Sequence, residues 1–195
     1  MKYTILNSKR TKKALLIHGL YSSSGYWLEY LKYFKNYKLL VFDIDYFSGQ
    51  SLQTKIDKIN LLINTEFEGE VDIIISHSFG TLVANGIFSS TFKYSFEICP
   101  VHSSKRLDRE NFIDEIYNKL KDKMTYEEIK LQSELTNNIL SKHKFNIESA
   151  SNRILLYPDS DKFFIYDINS IYQIKYFKGD HFNIEDSLKL IFTII

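Results

Sequence analysis

Ser78 has the setting of a catalytic nucleophile. It lies in the segment Ser76-His77-Ser78-Phe79-Gly80, between the apolar run Val71–Ile75 and a stretch with helical spacing. A serine on a tight turn from a strand into a helix has its hydroxyl away from the sheet, near the positive end of the helix. The crowded backbone of such a turn favours small flanking residues. The alternative is structural, with Ser76 or Ser78 only capping the helix.

A base and an acid for this serine follow later in the chain. His181 comes after an apolar run that ends at Phe177, and Asp159 and Asp161 come after a run that ends at Tyr157. A serine hydroxyl needs a base to take its proton, and the base needs a carboxylate to fix its tautomer and stabilise its charged form. His181 is a candidate for the base, since its Gly-x-His-Phe turn before the last helix resembles the catalytic histidine loop of the α/β-hydrolase family. The position along the turn favours Asp161 as the acid, with Asp159 as the alternative.

A further motif precedes the serine. The apolar run Ala14–Ile17 ends in His18-Gly19-Leu20, followed by a loop of small residues. Alone, a His-Gly pair after a strand carries little information. In the order His-Gly loop, serine turn, acid and histidine, the motifs resemble those of the α/β-hydrolase family over about residues 12–195. One departure is Ser76, which stands where the family usually has glycine.

The resemblance implies roles for the motif residues. The backbone N–H groups of Leu20 and Phe79 would form the oxyanion hole that stabilises the tetrahedral intermediate. His18 and Gly19 would support the loop that presents the first of these groups. The serine, the acid and the histidine follow the chain order of the family.

The remaining histidines and the cysteine have other expected roles. His77, inside the serine turn, is expected to pack or to give polar support, and His102 is expected near the pocket. His143 is expected on a solvated surface. The histidines lack the paired spacing of a zinc site, Cys99 is the single cysteine, and no glycine-rich nucleotide loop is present. We therefore expect neither a metal nor a cofactor.

The motifs require elements that bring them to one edge of a sheet. Short, continuous apolar runs alternate with stretches of helical spacing, which predicts an α/β fold with a mostly parallel central sheet and helices on both faces. The first strand or two are expected to pair antiparallel at the edge. The helical stretches are Tyr26–Phe34, Ile56–Ile63, Thr81–Phe88 and Ile184–Ile195.

One region interrupts this alternation. From about 103 to 149 the sequence is charged and has two amphipathic helical stripes. Thr125 and Glu128 match a capping box, which places a break near Met124. We interpret the region as a helical insertion that forms a lid over the site. The alternative is an ordinary helical excursion packed on the edge of the sheet.

Length and composition limit the remaining possibilities. The chain has 195 residues, which favours one domain, and its 25 basic and 24 acidic residues give no field that would attract nucleic acid. With one cysteine and no secretory leader pattern, a cytoplasmic location is expected. No apolar run reaches the ~18 residues of a membrane span.

Together these features predict a serine hydrolase that cleaves a carboxylic ester or thioester through an acyl-enzyme intermediate. One alternative is an esterase acting on esters bound to an acyl carrier protein, as in biotin synthesis, with Lys105, Arg106 and Arg109 facing the acidic carrier. Another is a non-catalytic binding protein that retains the fold. The sequence leaves open the acyl group, the leaving group and the oligomeric state.

Overall fold

The computed structural model describes residues 1–106, 109–142, 151–167 and 172–195. The strands in these ranges are β1 (Lys2–Leu6), β2 (Lys12–Ile17), β3 (Tyr37–Asp43), β4 (Val71–His77), β5 (Phe92–Ile98), β6 (Ser104–Arg106), β7 (Arg153–Pro158), β8 (Phe164–Tyr166) and β9 (Gln173–Phe177). The α-helices are α1 (Leu52–Phe67), α2 (Gly80–Asn85), α3 (Arg109–Leu120), α4 (Tyr126–Lys142) and α5 (Glu185–Ile194), and 3-10 helices cover Ser24–Phe34, Ser89–Thr91 and Val101–Ser103.

Seven of these strands form the central sheet, in the order β1-β3-β2-β4-β5-β7-β9. β1 runs antiparallel to β3, and the other neighbouring pairs are parallel. The predicted α/β fold with a mostly parallel sheet and an antiparallel edge is therefore confirmed. β4 lies between β2 and β5, so the loops after these three strands meet at one edge of the sheet.

The sheet is buried on both faces because its central strands are continuous apolar runs. In β2, Leu15 and Ile17 pack with α1 and α2 on one face, while Ala14 and Leu16 pack with the 3-10 helix Ser24–Phe34 and α5 on the other. All four side chains are fully buried. Each large apolar side chain buried in this way contributes about 1.5–3 kcal/mol to folding.

Two helices differ from their predicted forms. The segment expected as an α-helix over Tyr26–Phe34 is the 3-10 helix Ser24–Phe34, because a short apolar pattern does not distinguish three residues per turn from 3.6. The helix expected to reach Phe88 ends at Asn85. A Cβ atom at the following Gly86 would lie 2.4 Å from Ile56 Cδ1, so this turn packs tightly on α1.

The insertion contains the two predicted helices, α3 and α4, separated by the predicted capping box. The Thr125 N–H donates to Glu128 Oε2 at 2.7 Å, and the Glu128 N–H donates to Thr125 Oγ1 at 3.3 Å. The root of the insertion is not helical, however, because β6 pairs antiparallel with β8 in a separate two-stranded ribbon. His143 and residues 144–149 of the predicted insertion lie outside the described residues, as do the side chains of Lys105, Arg106 and Arg109.

None of the helices in the described ranges combines the length and the apolar character that a membrane crossing requires.

Candidate active site

The turn between β4 and α2 places Ser78 in a strained backbone conformation, with φ of 52°. Its N–H donates to the carbonyl oxygen of Ile98 at 2.9 Å, which fixes the turn against β5. A Cβ atom at Gly80 would lie 2.5 Å from the carbonyl oxygen of His18, so this position requires glycine. At the position of the family's other glycine, Ser76 is fully buried. The sequence thus folds locally into a turn that holds the serine hydroxyl at the sheet edge.

Ser78, His181 and Asp161 form a continuous chain of hydrogen bonds. Ser78 Oγ lies 2.9 Å from His181 Nε2, and His181 Nδ1 lies 3.0 Å from Asp161 Oδ2. The carboxylate accepts a hydrogen bond from the Nδ1–H group, so Nε2 carries no proton and can accept the hydrogen bond of the Ser78 hydroxyl. The three residues come from turns after β4, β7 and β9, which meet at the carboxyl edge of the sheet.

Asp161 is held as a carboxylate. Its Oδ1 atom accepts hydrogen bonds from the N–H groups of Phe163 at 2.8 Å and Phe164 at 3.1 Å. Burial acts to raise the pKa of Asp161, but the hydrogen bond and charge of His181, with Tyr166 and the Phe163 amide, hold this pKa below its usual value. Asp161 is therefore ionised beside the His181 ring.

Asp159, the alternative acid, faces the turn instead. Its Oδ1 atom accepts hydrogen bonds from Ser160 Oγ at 2.6 Å and from the Gly179 N–H at 3.0 Å. The carboxylate is exposed and braces the turn after β7 against the loop that carries His181. The geometry thus gives Asp159 a role in the turn and brings Asp161 to the histidine.

The loop after β2 lies against the serine. A Cβ atom at Gly19 would lie 3.0 Å from Ser78 Cβ, so a larger residue here would push the loop away. The next residue, Leu20, lines the same cavity as Ser78 and Phe79. No hydrogen bond among the described residues uses the backbone N–H of Leu20 or Phe79. Both amides are therefore available to a bound molecule.

His18 fixes the position of this loop. Its Nδ1 atom donates to the carbonyl oxygen of Gly19 at 2.7 Å, and its Nε2 atom accepts from the Ile44 N–H at 3.0 Å. Tyr46 donates its hydroxyl to the carbonyl oxygen of His18 at 2.7 Å. Burial lowers the pKa of His18, so the ring stays neutral and keeps one donor and one acceptor. These contacts tie the loop after β2 to the segment after β3.

His77 packs behind the base. Its ring stacks on Tyr26 with centroids 5.2 Å apart, and Nε2 lies 2.8 Å from the carbonyl oxygen of His181. A carbonyl can only accept, so Nε2 carries the proton and donates it. Burial, with a smaller effect from the neighbouring His181, lowers the pKa of His77 to about 3. The neutral ring thus keeps one N–H group on the carbonyl oxygen of His181.

His102 occupies a different environment from the expected pocket position. Its Nε2 atom contacts Glu97 Oε2, and its side chain is almost fully buried. The neighbouring Val101, rather than His102, belongs to the cavity lining. The short 3-10 helix Val101–Ser103 thus places the imidazole beside Glu97 of β5.

A cavity of about 450 Å³ opens at Ser78, a size typical of small-molecule sites. The serine, the two residues whose amides are the expected donors and His181 line it. The insertion contributes part of the wall, with four apolar and three polar side chains from α3 and α4. These side chains are Phe112, Ile116, Lys119, Leu120, Thr136, Asn137 and Leu140.

Sequence reasoning missed two residues beside the acid, Tyr166 and Cys99. The Tyr166 hydroxyl donates to Asp161 Oδ2, and the Cys99 thiol contacts the same hydroxyl. Ligand-type atoms of Cys99, Asp161 and His181 lie within 4.8 Å of one another, and two of them, His181 Nδ1 and Asp161 Oδ2, already bond to each other. No local motif marks Tyr166, because its position depends on the pairing of β8 with the distant β6.

The chain is similar in fold to solved structures, although it has no match in sequence. No protein-family model and no curated protein matches the chain in sequence. In structure, the chain is similar to the NocB thioesterase domain, solved as a covalent complex with a fluorophosphonate nocardicin G analogue. The TM-score is 0.73 at 13% identity, over 99% of each chain.

Two further structural neighbours are named for ester hydrolysis. A monoacylglycerol lipase from Paleococcus ferrophilus matches at a TM-score of 0.66 and 12% identity, over 99% of this chain and 97% of its own. A carboxylesterase structure from Nitrososphaera gargenis matches at 0.68 and 12% identity, over 99% of this chain and 91% of its own. Together with the strand order, these likenesses establish that the chain has the α/β-hydrolase fold.

Proposed function

We propose that this protein is a serine hydrolase that cleaves a carboxylic ester or thioester through an acyl-enzyme intermediate. The observation that carries the proposal is the hydrogen-bonded chain from Ser78 through His181 to Asp161, which ends at the mouth of an apolar cavity. The fold alone hosts many activities, so the proposal rests on the site.

The hydrogen bonds of His181 indicate the order of the proton transfers in the reaction. His181 Nε2 takes the proton of Ser78 Oγ as the oxygen attacks the acyl carbon, and the resulting imidazolium is stabilised by the Asp161 carboxylate. His181 then gives this proton to the departing alkoxide or thiolate, which leaves an ester between the acyl group and Ser78. A water molecule, deprotonated by the same Nε2 atom, attacks that ester and releases the acid and the free serine.

The amides of Leu20 and Phe79 are assigned to the oxyanion. Both belong to residues that line the cavity beside Ser78, and both are free of other hydrogen bonds within the described part of the chain. Donors fixed in this way need no reorganisation when negative charge develops on the carbonyl oxygen. Gly19 keeps the first loop close enough to contribute its amide.

The cavity wall favours an apolar acyl group. Among the side chains that α3 and α4 contribute, most are aliphatic or aromatic, and the lining contains no carboxylate among the described residues. A substrate chain lying along this wall would bury apolar surface at about 25 cal/mol per Å². The NocB likeness supports thioesters beside oxygen esters as substrates.

The decisive experiment is covalent labelling with a fluorophosphonate probe. Wild-type protein is expected to gain one probe mass, located on the peptide that contains Ser78, and to hydrolyse p-nitrophenyl esters or acyl thioesters. Ser78→Ala should gain none, while Ser76→Ala, which alters the neighbouring buried serine, should still be labelled. A folded wild-type protein that neither reacts with the probe nor turns over any ester would instead support the non-catalytic binding protein.

A further inference from the structure

One oxygen of the catalytic acid has a second donor that the proposed mechanism does not use. Asp161 Oδ2 accepts hydrogen bonds from His181 Nδ1 at 3.0 Å and from the Tyr166 hydroxyl. The same hydroxyl lies 3.5 Å from His181 Nδ1, so the three groups form a compact cluster. With the two backbone amides on Oδ1, the carboxylate has four donors. Its rotation about the Cβ–Cγ bond is therefore restricted.

Tyr166 is itself firmly placed. Its ring stacks on Tyr157 with centroids 4.6 Å apart and an interplanar angle of 25°. Its backbone belongs to β8, opposite Ser104 of β6. Burial, with the neighbouring Cys99 and the charge of Asp161, raises the pKa of Tyr166. The hydroxyl thus remains protonated and continues to act as a donor.

The Cys99 thiol does not compete for this role. It is fully buried, and burial raises its pKa, so it stays neutral beside the tyrosine. A neutral thiol is a weak hydrogen-bond partner compared with a carboxylate. The hydroxyl proton of Tyr166 is directed to Asp161 for this reason.

We infer that Tyr166 is a positioning residue for the reaction, whose hydroxyl holds Asp161 Oδ2 in the orientation that receives His181 Nδ1. The inference rests on the proposed function. During the reaction the imidazole becomes positively charged, and a carboxylate that is already oriented stabilises this charge without rearrangement. Without the hydroxyl, Oδ2 keeps the histidine as its single donor and samples orientations that weaken the pair.

The chain supplies a matched control in Tyr157. Its hydroxyl donates to the carbonyl oxygen of Asp167 at 2.8 Å, and its ring forms the other half of the stacked pair. Tyr157→Phe therefore removes a hydroxyl from the same pair of rings without removing a donor from Asp161. If the stacked pair matters only for packing, the two variants should behave alike.

The test compares Tyr166→Phe and Tyr157→Phe in steady-state hydrolysis of a p-nitrophenyl ester. Tyr166→Phe is expected to lower kcat about 10-fold, the size of effect that a hydrogen bond to a charged group supports, with KM changed less than about twofold. Tyr157→Phe should leave kcat within about twofold of wild type. Equal losses in the two variants, or a raised KM with unchanged kcat, would overturn the inference.

A double-variant cycle tests whether Tyr166 acts through the Asp161 carboxylate. In an Asp161→Asn background, Tyr166→Phe is expected to change kcat less than about twofold, because the group that the hydroxyl orients is gone. A full 10-fold loss in that background would show that Tyr166 acts elsewhere. Thermal unfolding of each variant checks that the fold is retained.

If Tyr166→Phe does not fold, a fluorinated tyrosine at position 166 keeps the ring and changes only the strength of the hydroxyl donor. We expect kcat to change at position 166 and to stay constant when the same analogue is placed at position 157. An unchanged kcat at both positions overturns the inference. An active, probe-labelled wild type beside an unimpaired Tyr166 variant refutes this inference alone, whereas an inert wild type refutes the proposed function as well.

Discussion

Arg153 and Glu97 form a fully buried ion pair, with Nη1 2.8 Å from Oε1. The guanidinium also donates to the carbonyl oxygens of Ala84 at 3.0 Å and Ile87 at 3.1 Å, at the end of α2 and just beyond it. A cation at this position interacts favourably with the helix dipole and satisfies carbonyls that the helix leaves unpaired. The pair therefore ties the helix that follows Ser78 to β5 and β7.

Arg153→Met is expected to lower the free energy of unfolding by about 3–5 kcal/mol, because it leaves Oε1 of the buried Glu97 carboxylate without the guanidinium. Urea unfolding measures the loss. Lys93→Met is the matched control, since it removes a partner of Asp72 in an exposed ion pair and should cost less than ~1 kcal/mol. Similar losses in the two variants would show that burial does not decide the strength of these pairs.

Ser78→Ala and His181→Ala should each lower kcat by on the order of 10³-fold or more, because the nucleophile and its base act as one unit. For the same reason the double variant should be no more than slightly slower than either single variant. Active-site kinetics on one ester measure all three proteins. Losses that multiply in the double variant would mean that the two residues act in separate steps.

Asp161→Asn is expected to lower kcat by about 10²- to 10⁴-fold, because an amide can select the wrong imidazole tautomer and cannot stabilise the imidazolium. Asp159→Asn should cost far less, since this carboxylate braces a turn and does not reach His181. Turnover is compared at equal folded fractions, determined by circular dichroism. The reverse ranking would make Asp159 the acid.

His77 is expected to reduce stability in acid. Its pKa is about 3 in the folded protein, against ~6.5 in an unfolded chain, so between these pH values the unfolded state binds a proton that the folded state does not. Stability therefore falls as the pH is lowered through this window. From pH 7 to pH 4, wild type should lose up to ~3 kcal/mol more than His77→Gln, which has no titrating ring.

The measurement for His77 is urea unfolding of both proteins at the two pH values. Gln at position 77 retains an N–H that can reach the carbonyl oxygen of His181, so the comparison at pH 7 reports packing alone. His18, whose pKa is also lowered, is present in both proteins and cancels in the difference. Equal losses on acidification would show that His77 is protonated in the folded state.

The sheet was predictable because β2, β4 and β7 contain continuous apolar runs, which become buried on both faces. The placement of Ser78 in a turn was predictable because it directly follows the buried strand β4. The placement of His181 was predictable because the glycine-containing segment Lys178-Gly179-Asp180 separates it from β9. Choosing Asp161 over Asp159 depended on where the turn after Pro158 points. That choice used only residues close together in the chain.

Other features depend on contacts between distant residues, which local patterns do not record. β6 and β8 have three residues each, and a segment this short cannot show the alternation of apolar and polar residues that marks a strand. Tyr166 reaches the acid only through their pairing. Glu97 and Arg153 are 56 residues apart in the chain, and they become an ion pair only because β5 and β7 are adjacent.

The β6–β8 ribbon also has a consequence for protein engineering. In the chain, β6 comes before α3 and α4, the two helices that line the cavity. β8, the strand that carries Tyr166, comes after them and pairs with β6. A chimera whose junctions lie after Arg106 and before Arg153 exchanges the cavity wall and keeps both ribbon strands. A junction placed before Ser104 removes half of the ribbon together with the wall. Exchanging the cavity wall can therefore change the choice of substrate without disturbing the contact of Tyr166 with Asp161 only when both strands of this ribbon are kept.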